Sequence, residues 1–195
     1  MSNKILAYFI YAAIIAYIVY KIICYFYQPF VLPRSDVEKE RLDELIRRGD
    51  YLVDYVQKNK YPSPDISARI VENWKVLKTN EKIGITPSNT DTPGFVLNKN
   101  DAMQLCVTTS PRNPNDIDDL NLGTFVIIHE IAHLGALEYQ HGSEFLSVFK
   151  KLLRASIDIG IWEYTDYAKK PQWYCEYYVN ATPSVPEKFE TKFDS

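Results

Sequence analysis

The order of hydrophobic and polar positions divides the chain into an apolar N-terminal segment and a longer region of changing periodicity. Residues 5 to 20 carry no charge, and the apolar run resumes after Lys21. Roughly 20 helical residues cross the hydrocarbon core of a bilayer, and a lysine near one end can extend to the headgroups. The pattern therefore predicts a transmembrane helix from Ile5 to about Phe26. The alternatives are a buried core helix and a cleaved signal peptide, but the run is long for a signal peptide and no small-residue cleavage site follows it.

Helical spacing follows this segment. Ser35 and Glu38 form the S-x-x-E pattern of a capping box, and apolar residues then recur every three or four positions as far as Lys58. The pattern predicts a membrane-proximal helix, which a proline-containing stretch ends. A second helix is predicted over residues 66 to 77, and we expect both helices to pack against the core.

The pattern changes from helical spacing to short apolar runs between residues 94 and 109. Two such runs are separated by four polar residues, which predicts a hairpin leading into a strand from Met103 to Thr109. Alternate residues of that strand share one face, and Cys106 lies on the other. We interpret Cys106 as a small packed side chain rather than a nucleophile.

A polar loop precedes the most apolar helix of the remaining chain, which is predicted to begin at about Asp118 or Asn121. Apolar residues occupy nearly every side of this helix, so we expect it to be buried. After it, Phe145 begins an amphipathic run of helical spacing, and we expect its side chain to be a core anchor. The predicted fold class is therefore α+β, with an N-terminal transmembrane helix and a small sheet packed on the buried helix.

All three histidines lie between residues 129 and 141. His129 and His133 are four residues apart, so on a helix they lie one turn apart on the same face and can bind one metal ion. Glu130 projects beside that ion, where it can take a proton from metal-bound water. Imidazoles without a metal would be costly polar groups in so apolar a helix. The pattern predicts a Zn²⁺ site with Glu130 as the catalytic base.

The third zinc ligand has two possible sources. His141 follows the helix after a spacer of seven residues, long enough for the chain to leave the helix and fold back. Gly142, next in the chain, can adopt unusual backbone angles. The alternative is a distant glutamate, for which Glu163 and Glu176 are available. We favour His141.

Charge and cysteine content narrow the possible partners. The chain beyond Phe30 contains 25 acidic and 20 basic residues, a net charge of −5, which argues against nucleic-acid binding. Cys24, Cys106 and Cys175 stand in no CxxC pair. Neither a disulfide framework nor a cysteine zinc site is therefore predicted.

Three stretches resemble the WLM and SprT-like zinc metallopeptidases: MQLCVTT, LGTFVIIHEIAH, and HGSEF with its phenylalanine four residues after the third histidine. The resemblance covers roughly residues 66 to 183 and is strongest with small membrane-anchored members encoded by large DNA viruses. It implies a zincin-like domain built on the H-E-x-x-H helix, with His129, His133 and His141 as zinc ligands and Glu130 as catalytic base. The spacer before the third histidine differs from that of the cellular members, and digestion of DNA-crosslinked protein is not expected.

The predicted function is that of a membrane-anchored zinc metalloprotease acting on polypeptide substrates. We expect an oxyanion donor among Tyr164, Tyr174 and Tyr177, although packing is the commoner role of tyrosine. The strand over 103 to 109, as a sheet edge, would let an extended peptide pair with it. The alternatives are a catalytically inactive, zinc-stapled membrane adaptor or virion membrane protein, and a hydrolase of a non-peptide amide.

Basic residues flank the predicted transmembrane helix unequally. Only Lys4 precedes it, whereas Lys21, Arg34, Lys39 and Arg41 lie near or after its end. The positive-inside rule then predicts a single-pass protein of a viral or host membrane with a cytoplasmic C-terminal domain. The predicted segments are an anchor (1–30), a membrane-proximal helix (31–62), a zinc metallopeptidase-like domain (63–183) and a flexible tail (184–195).

Overall fold

The computed structural model describes residues 14–19, 35–86, 93–107, 120–175 and 177–185. Residues 14–19 are helical. The elements that follow it are helices α1 (Asp36–Asn59) and α2 (Pro64–Thr79), strands β1 (Ile83–Ile85), β2 (Gly94–Leu97) and β3 (Ala102–Leu105), helices α3 (Leu120–Gly135) and α4 (Ser143–Asp158), and strands β4 (Gln172–Tyr174) and β5 (Tyr177–Val179). This mixture of helices and strands agrees with the α+β content predicted.

The structure does not support the predicted N-terminal transmembrane helix. Among the residues described, no helix combines the length and the apolar character needed to cross a membrane. The predictions of a transmembrane helix and of a single-pass membrane protein are therefore wrong on this finding. The rest of the span expected from Ile5 to Phe26 lies outside the described residues.

Helix α1 begins at the serine cap that the sequence predicts, and α2 begins at Pro64, two residues before its predicted start, after a second serine cap. Ser35 Oγ accepts a hydrogen bond from the Glu38 backbone N–H at 3.2 Å, and Ser63 Oγ accepts one from Ile66 at 3.3 Å. Each bond satisfies an amide that the first helical turn leaves without a partner. Helix α1 buries one face: Leu42, Leu45, Leu52, Val53 and Val56. The predicted membrane-proximal helix thus belongs to the same hydrophobic core as the rest of the domain.

The first sheet has the strand order β1-β3-β2. Strand β3 pairs in parallel with β1 and antiparallel with β2, with Val96 opposite Met103. The hairpin predicted from residue 94 is present, and left-handed φ angles at Asn98 and Lys99 turn its loop. However, β3 is the middle strand, so the expectation that the strand beginning near Met103 forms the edge is wrong. The edge beside the histidine helix is β2.

Helix α3 is the centre of the domain and is buried as its pattern predicts. It contacts α1, α2, α4, β2 and β3. Helix α4 covers it with the apolar positions expected from its spacing: Phe145, Val148, Phe149, Leu152 and Leu153. Because neighbours surround α3 on most sides, its side chains have little freedom, which fixes the positions of the histidines that it carries.

A disulfide bond between Cys106 and Cys175 was not expected. It ties the chain just after β3 to the turn between β4 and β5, and the Tyr174 hydroxyl donates a hydrogen bond to the Cys106 carbonyl there. The interpretation of Cys106 as a free packed side chain is therefore corrected, although it is buried. The two cysteines are 69 residues apart, and only the folded chain brings the β4–β5 hairpin to this strand.

Candidate metal centre

Helix α3 and the segment after it bring the three histidines together. The ring centroids of His129 and His133, one helical turn apart, are separated by 5.1 Å. The chain leaves α3 after Gly135 and returns His141 to within 4.8 Å and 5.0 Å of these rings, centroid to centroid. One ligand atom from each histidine lies within 4.8 Å of the others. The three histidines could therefore hold a metal ion, as the sequence predicts.

Two phenylalanines of α4 fix the imidazole rings. Phe145 stacks on His133 with centroids 4.2 Å apart, and its ring lies 4.9 Å from His129 and 4.8 Å from His141. Phe149 contacts His129 at 5.1 Å. Phe145 is thus a buried core anchor, as expected, and it also packs against all three candidate ligands.

The environment keeps two of these imidazoles neutral. Burial, with smaller contributions from His133 and His141, lowers the pKa of His129 to about 3. Burial also lowers the pKa of His133 to about 4, helped by His141 and Lys99. A neutral imidazole has a free nitrogen lone pair, and this is the form that binds a metal.

Glu130 lies beside the histidines but outside the ligand group. Its side chain is 3% exposed, and Oε2 has no hydrogen-bond partner among the described residues. Burial raises its pKa to about 8. Strand β2 approaches closely here, because a Cβ at Gly94 would lie 3.1 Å from Glu130 Oε1. A carboxyl group in such surroundings is suited to exchanging protons near neutral pH.

A cleft of about 490 Å³ opens in front of Glu130 and the histidines. Its lining includes residues of β2, of α3, and of β5 with the residues after it. Phe125 and Val126 give the cleft an apolar part, and Lys99 gives it a charged one. Other lining residues are Gly94, Val96, Tyr139, Phe149 and Tyr177. The cleft is large enough for an extended chain of a few residues.

Of the other predicted site residues, some lie at the cleft and others lie away from it. Glu163, a rival third ligand, is exposed and not part of the ligand group, and its backbone N–H donates to Asn121 Oδ1 at 2.8 Å. Glu176 lies outside the described residues. Of the three tyrosines, Tyr177 lines the cleft; Tyr174 is buried with its hydroxyl bound to Cys106, and Tyr164 packs against Trp162 away from it.

Sequence reasoning missed the polar residues that hold the segment carrying His141. Asn73 on α2 donates to the Leu134 carbonyl at 2.9 Å, and Lys99 Nζ donates to the Glu138 carbonyl. Arg69 and Glu144 make further contacts at the same place. These residues come from three separate parts of the chain, and no local pattern marks them.

Comparison with known proteins gives a viral relative. The chain is similar to a protein of Acanthamoeba polyphaga mimivirus described as uncharacterized, with 28% identity over 144 residues, which are 74% of this chain and 72% of that protein. No protein-family model matches the chain. No solved structure matches it significantly. Membership of the WLM or SprT-like metallopeptidases therefore stays a prediction from the sequence.

Proposed function

We propose that this protein is a zinc-dependent peptidase with Glu130 as its catalytic base. The observation that carries the proposal is a buried carboxyl, that of Glu130, beside a cluster of three histidines. Its Oε2 has no hydrogen-bond partner among the described residues. A polar atom buried without a partner costs free energy that a purely structural site would have no reason to retain. A reaction that needs a proton acceptor at this position accounts for it.

The donor set fits zinc. Zinc in proteins is commonly bound by imidazole nitrogens, and catalytic sites use three protein ligands, whereas structural sites usually have four. His129, His133 and His141 would hold the ion, with Phe145 keeping their rings in place. A bound zinc ion supplies a Lewis acid that polarises a carbonyl group and makes water more acidic. Three ligands and an adjacent carboxylate favour catalysis over a zinc-stapled binding protein.

The chain's own residues supply the proton transfers. Glu130 accepts a proton on a carboxylate oxygen from the water that attacks the scissile carbonyl, and it then delivers this proton to the departing amine. A bound zinc ion beside this carboxyl would favour the ionised form that accepts the proton, whereas burial favours the protonated form that delivers it. Tyr177 lines the cleft and is the candidate hydrogen-bond donor to the developing oxyanion.

The edge of β2 supports a polypeptide substrate. The Cys106 N–H donates to the Pro93 carbonyl at 2.8 Å, so Pro93 directs its backbone towards β3. In an antiparallel pair, successive residues of a strand direct their backbone N–H and C=O groups alternately towards and away from the partner strand. Val96, three residues after Pro93, therefore directs its backbone groups away from β3 and towards the cleft. An extended peptide could pair with Val96 by strand addition, in the role first assigned to the strand near Met103.

The test compares the full chain with the Glu130→Gln variant. Bound zinc is quantified for both, and cleavage is followed on a panel of unfolded proteins. We expect both proteins to bind one zinc per chain and only the wild type to cleave. His141→Gln should bind zinc more weakly than either. If both proteins bind zinc and the wild type cleaves nothing in the panel, the proposal fails and a zinc-stapled binding protein becomes the better interpretation.

A further inference from the structure

Lys99 marks the charged end of the cleft. It lies in the turn between β2 and β3, where its φ angle is 69°. Its Nζ donates to the Glu138 carbonyl and lies 4.9 Å from the centroid of the Tyr139 ring. These two contacts hold a side chain that is otherwise long and mobile. The ammonium is therefore held at the cleft rather than extended into solvent.

No other Lys or Arg lines the cleft among the residues that the structure describes. Arg69 pairs with Glu144 at 2.9 Å, and neither side chain lines the cleft. The Glu138 carboxylate lies against Gly142, also outside it. An ammonium has three N–H donors, and the Glu138 carbonyl uses one, which leaves donors for an anionic ligand.

The direction of β2 determines which part of a substrate would meet this charge. The strand runs from Gly94, beside Glu130, to Leu97 and then to Lys99. Antiparallel pairing is the more stable and the more frequent arrangement, and a peptide paired in this way runs opposite to β2. Residues before the scissile bond then extend towards Lys99. Residues after it extend towards the apolar end of the cleft at Phe125 and Val126.

We infer that Lys99 selects polypeptides that carry an acidic side chain on the N-terminal side of the scissile bond. The inference rests on the proposed peptidase function and names its substrate class. A carboxylate there would form a charge-assisted hydrogen bond with the ammonium, in a cleft where part of the solvent is excluded. Such a bond contributes about tenfold in selectivity against the neutral amide.

The experiment uses a peptide series built on a site that the wild type cleaves in an unfolded protein. Asp, Asn or Lys is placed at each position on both sides of the scissile bond, and kcat/KM is measured. We expect the wild type to prefer Asp over Asn by about tenfold at one or two positions before the bond. Lys99→Met should lose this preference, Lys99→Arg should keep it, and Lys99→Glu should favour Lys instead.

A matched control and a second readout make the test specific. Lys82 Nζ donates to the Asn100 carbonyl of the same turn at 3.3 Å but does not line the cleft, so Lys82→Met should keep the wild-type preference. Binding of the same peptides to zinc-loaded Glu130→Gln, followed by fluorescence anisotropy, should show the same order without cleavage. Substituting Lys99 in that background should abolish the order.

The outcomes separate the two proposals. If the wild type cleaves Asp and Asn peptides equally, if the preference persists in Lys99→Met, or if it appears only after the scissile bond, the inference about Lys99 is overturned and the peptidase remains. If the wild type cleaves no peptide and no protein, the peptidase proposal fails, and the inference fails with it.

Discussion

The Arg69 guanidinium and the Glu144 carboxylate form an ion pair, with 2.9 Å between Nη2 and Oε1. Arg69 also donates through Nε to the Gly135 carbonyl at the end of α3, at 2.7 Å. Glu144 accepts a hydrogen bond from the Leu137 backbone N–H, also at 2.7 Å. The pair thus joins α2, the end of α3 and the first turn of α4. The segment that it encloses carries His141, which is itself exposed.

Removal of Glu144 should weaken metal binding without removing a ligand. In Glu144→Ala the Leu137 N–H of the segment between α3 and α4 loses its acceptor and Arg69 loses its ion pair, so His141 must be ordered when the ion binds. Residues that orient ligands typically contribute 10–100-fold to metal affinity, and we expect about tenfold here because both side chains are partly exposed. Competition with a chromogenic chelator measures the zinc dissociation constant.

A second ion pair provides the control for this change. Lys78 and Asp50 are 2.5 Å apart and join α2 to α1 through partly exposed side chains, like Arg69 and Glu144, but neither takes part in the ligand group. Lys78→Met should therefore leave zinc affinity unchanged. Wild-type affinity in Glu144→Ala would show that other contacts are sufficient to hold His141.

Local sequence patterns predicted much of the fold because short-range chemistry determines those parts. The Ser35 cap, the buried α3 and the hairpin that begins at Gly94 each depend on residues within a few positions of one another. The same applies to His129 and His133, whose spacing puts them on one face of a helix wherever that helix lies.

The parts that were missed depend on contacts between distant segments. Cys106 meets Cys175 across 69 residues, and Arg69 meets Glu144 across 75, so no local pattern could reveal either pair. The order of strands in the sheet also depends on distant segments, since the alternation of apolar and polar residues predicts a strand but not which strands pair with it. Hydropathy alone is also insufficient to predict a transmembrane helix. An apolar run indicates that the segment avoids water, but it does not establish a helix long enough to cross a membrane.

Reduction of the disulfide should destabilise the domain. A cross-link between residues this far apart restricts the unfolded chain and contributes about 4 kcal/mol to the free energy of unfolding. We expect the Cys106→Ala, Cys175→Ala double variant to unfold at lower urea concentration than the oxidised wild type. Equilibrium unfolding with intrinsic fluorescence gives the free-energy difference.

A reductant distinguishes the effect of breaking the disulfide from the effect of replacing the two cysteine side chains. Adding dithiothreitol should lower the stability of the wild type towards that of the double variant and leave the double variant unaffected. Equal free energies of unfolding for oxidised and reduced wild type would contradict a stabilising bond. Because β5 carries Tyr177 into the cleft wall, we also expect weaker peptide binding in the reduced protein.

The metal-free protein should gain stability at alkaline pH when Glu130 is replaced by Gln. Burial raises the pKa of this carboxyl from 4.5 to about 8 in the folded state. The unfolded chain releases the proton above pH 4.5, whereas the folded chain keeps it until about pH 8, so the wild type loses stability as the pH rises through this window. Glu130→Gln removes the loss, which amounts to a few kcal/mol.

The comparison is made by urea unfolding of both metal-free proteins at pH 5 and pH 8.5. The buried histidines act in the opposite direction, since their lowered pKa values cost stability as the pH falls from 6.5 towards 3. They are present in both proteins and cancel in the difference. A difference between the variants that stays constant from pH 5 to pH 8.5 would refute a raised pKa for Glu130.

Tyr177→Phe should lower kcat while bound zinc stays at the wild-type level. Tyr177 lies in the cleft wall, where its hydroxyl can donate a hydrogen bond to the oxygen of the attacked carbonyl as charge develops there. A donor that acts only in the transition state lowers kcat when it is removed and leaves KM nearly unchanged, and we expect a loss of about tenfold or more. Tyr164→Phe is the matched control, because Tyr164 is similarly exposed but lies outside the cleft. If the two variants lose the same activity, or if Tyr177→Phe raises KM alone, the hydroxyl contributes to packing or ground-state binding rather than to the chemical step.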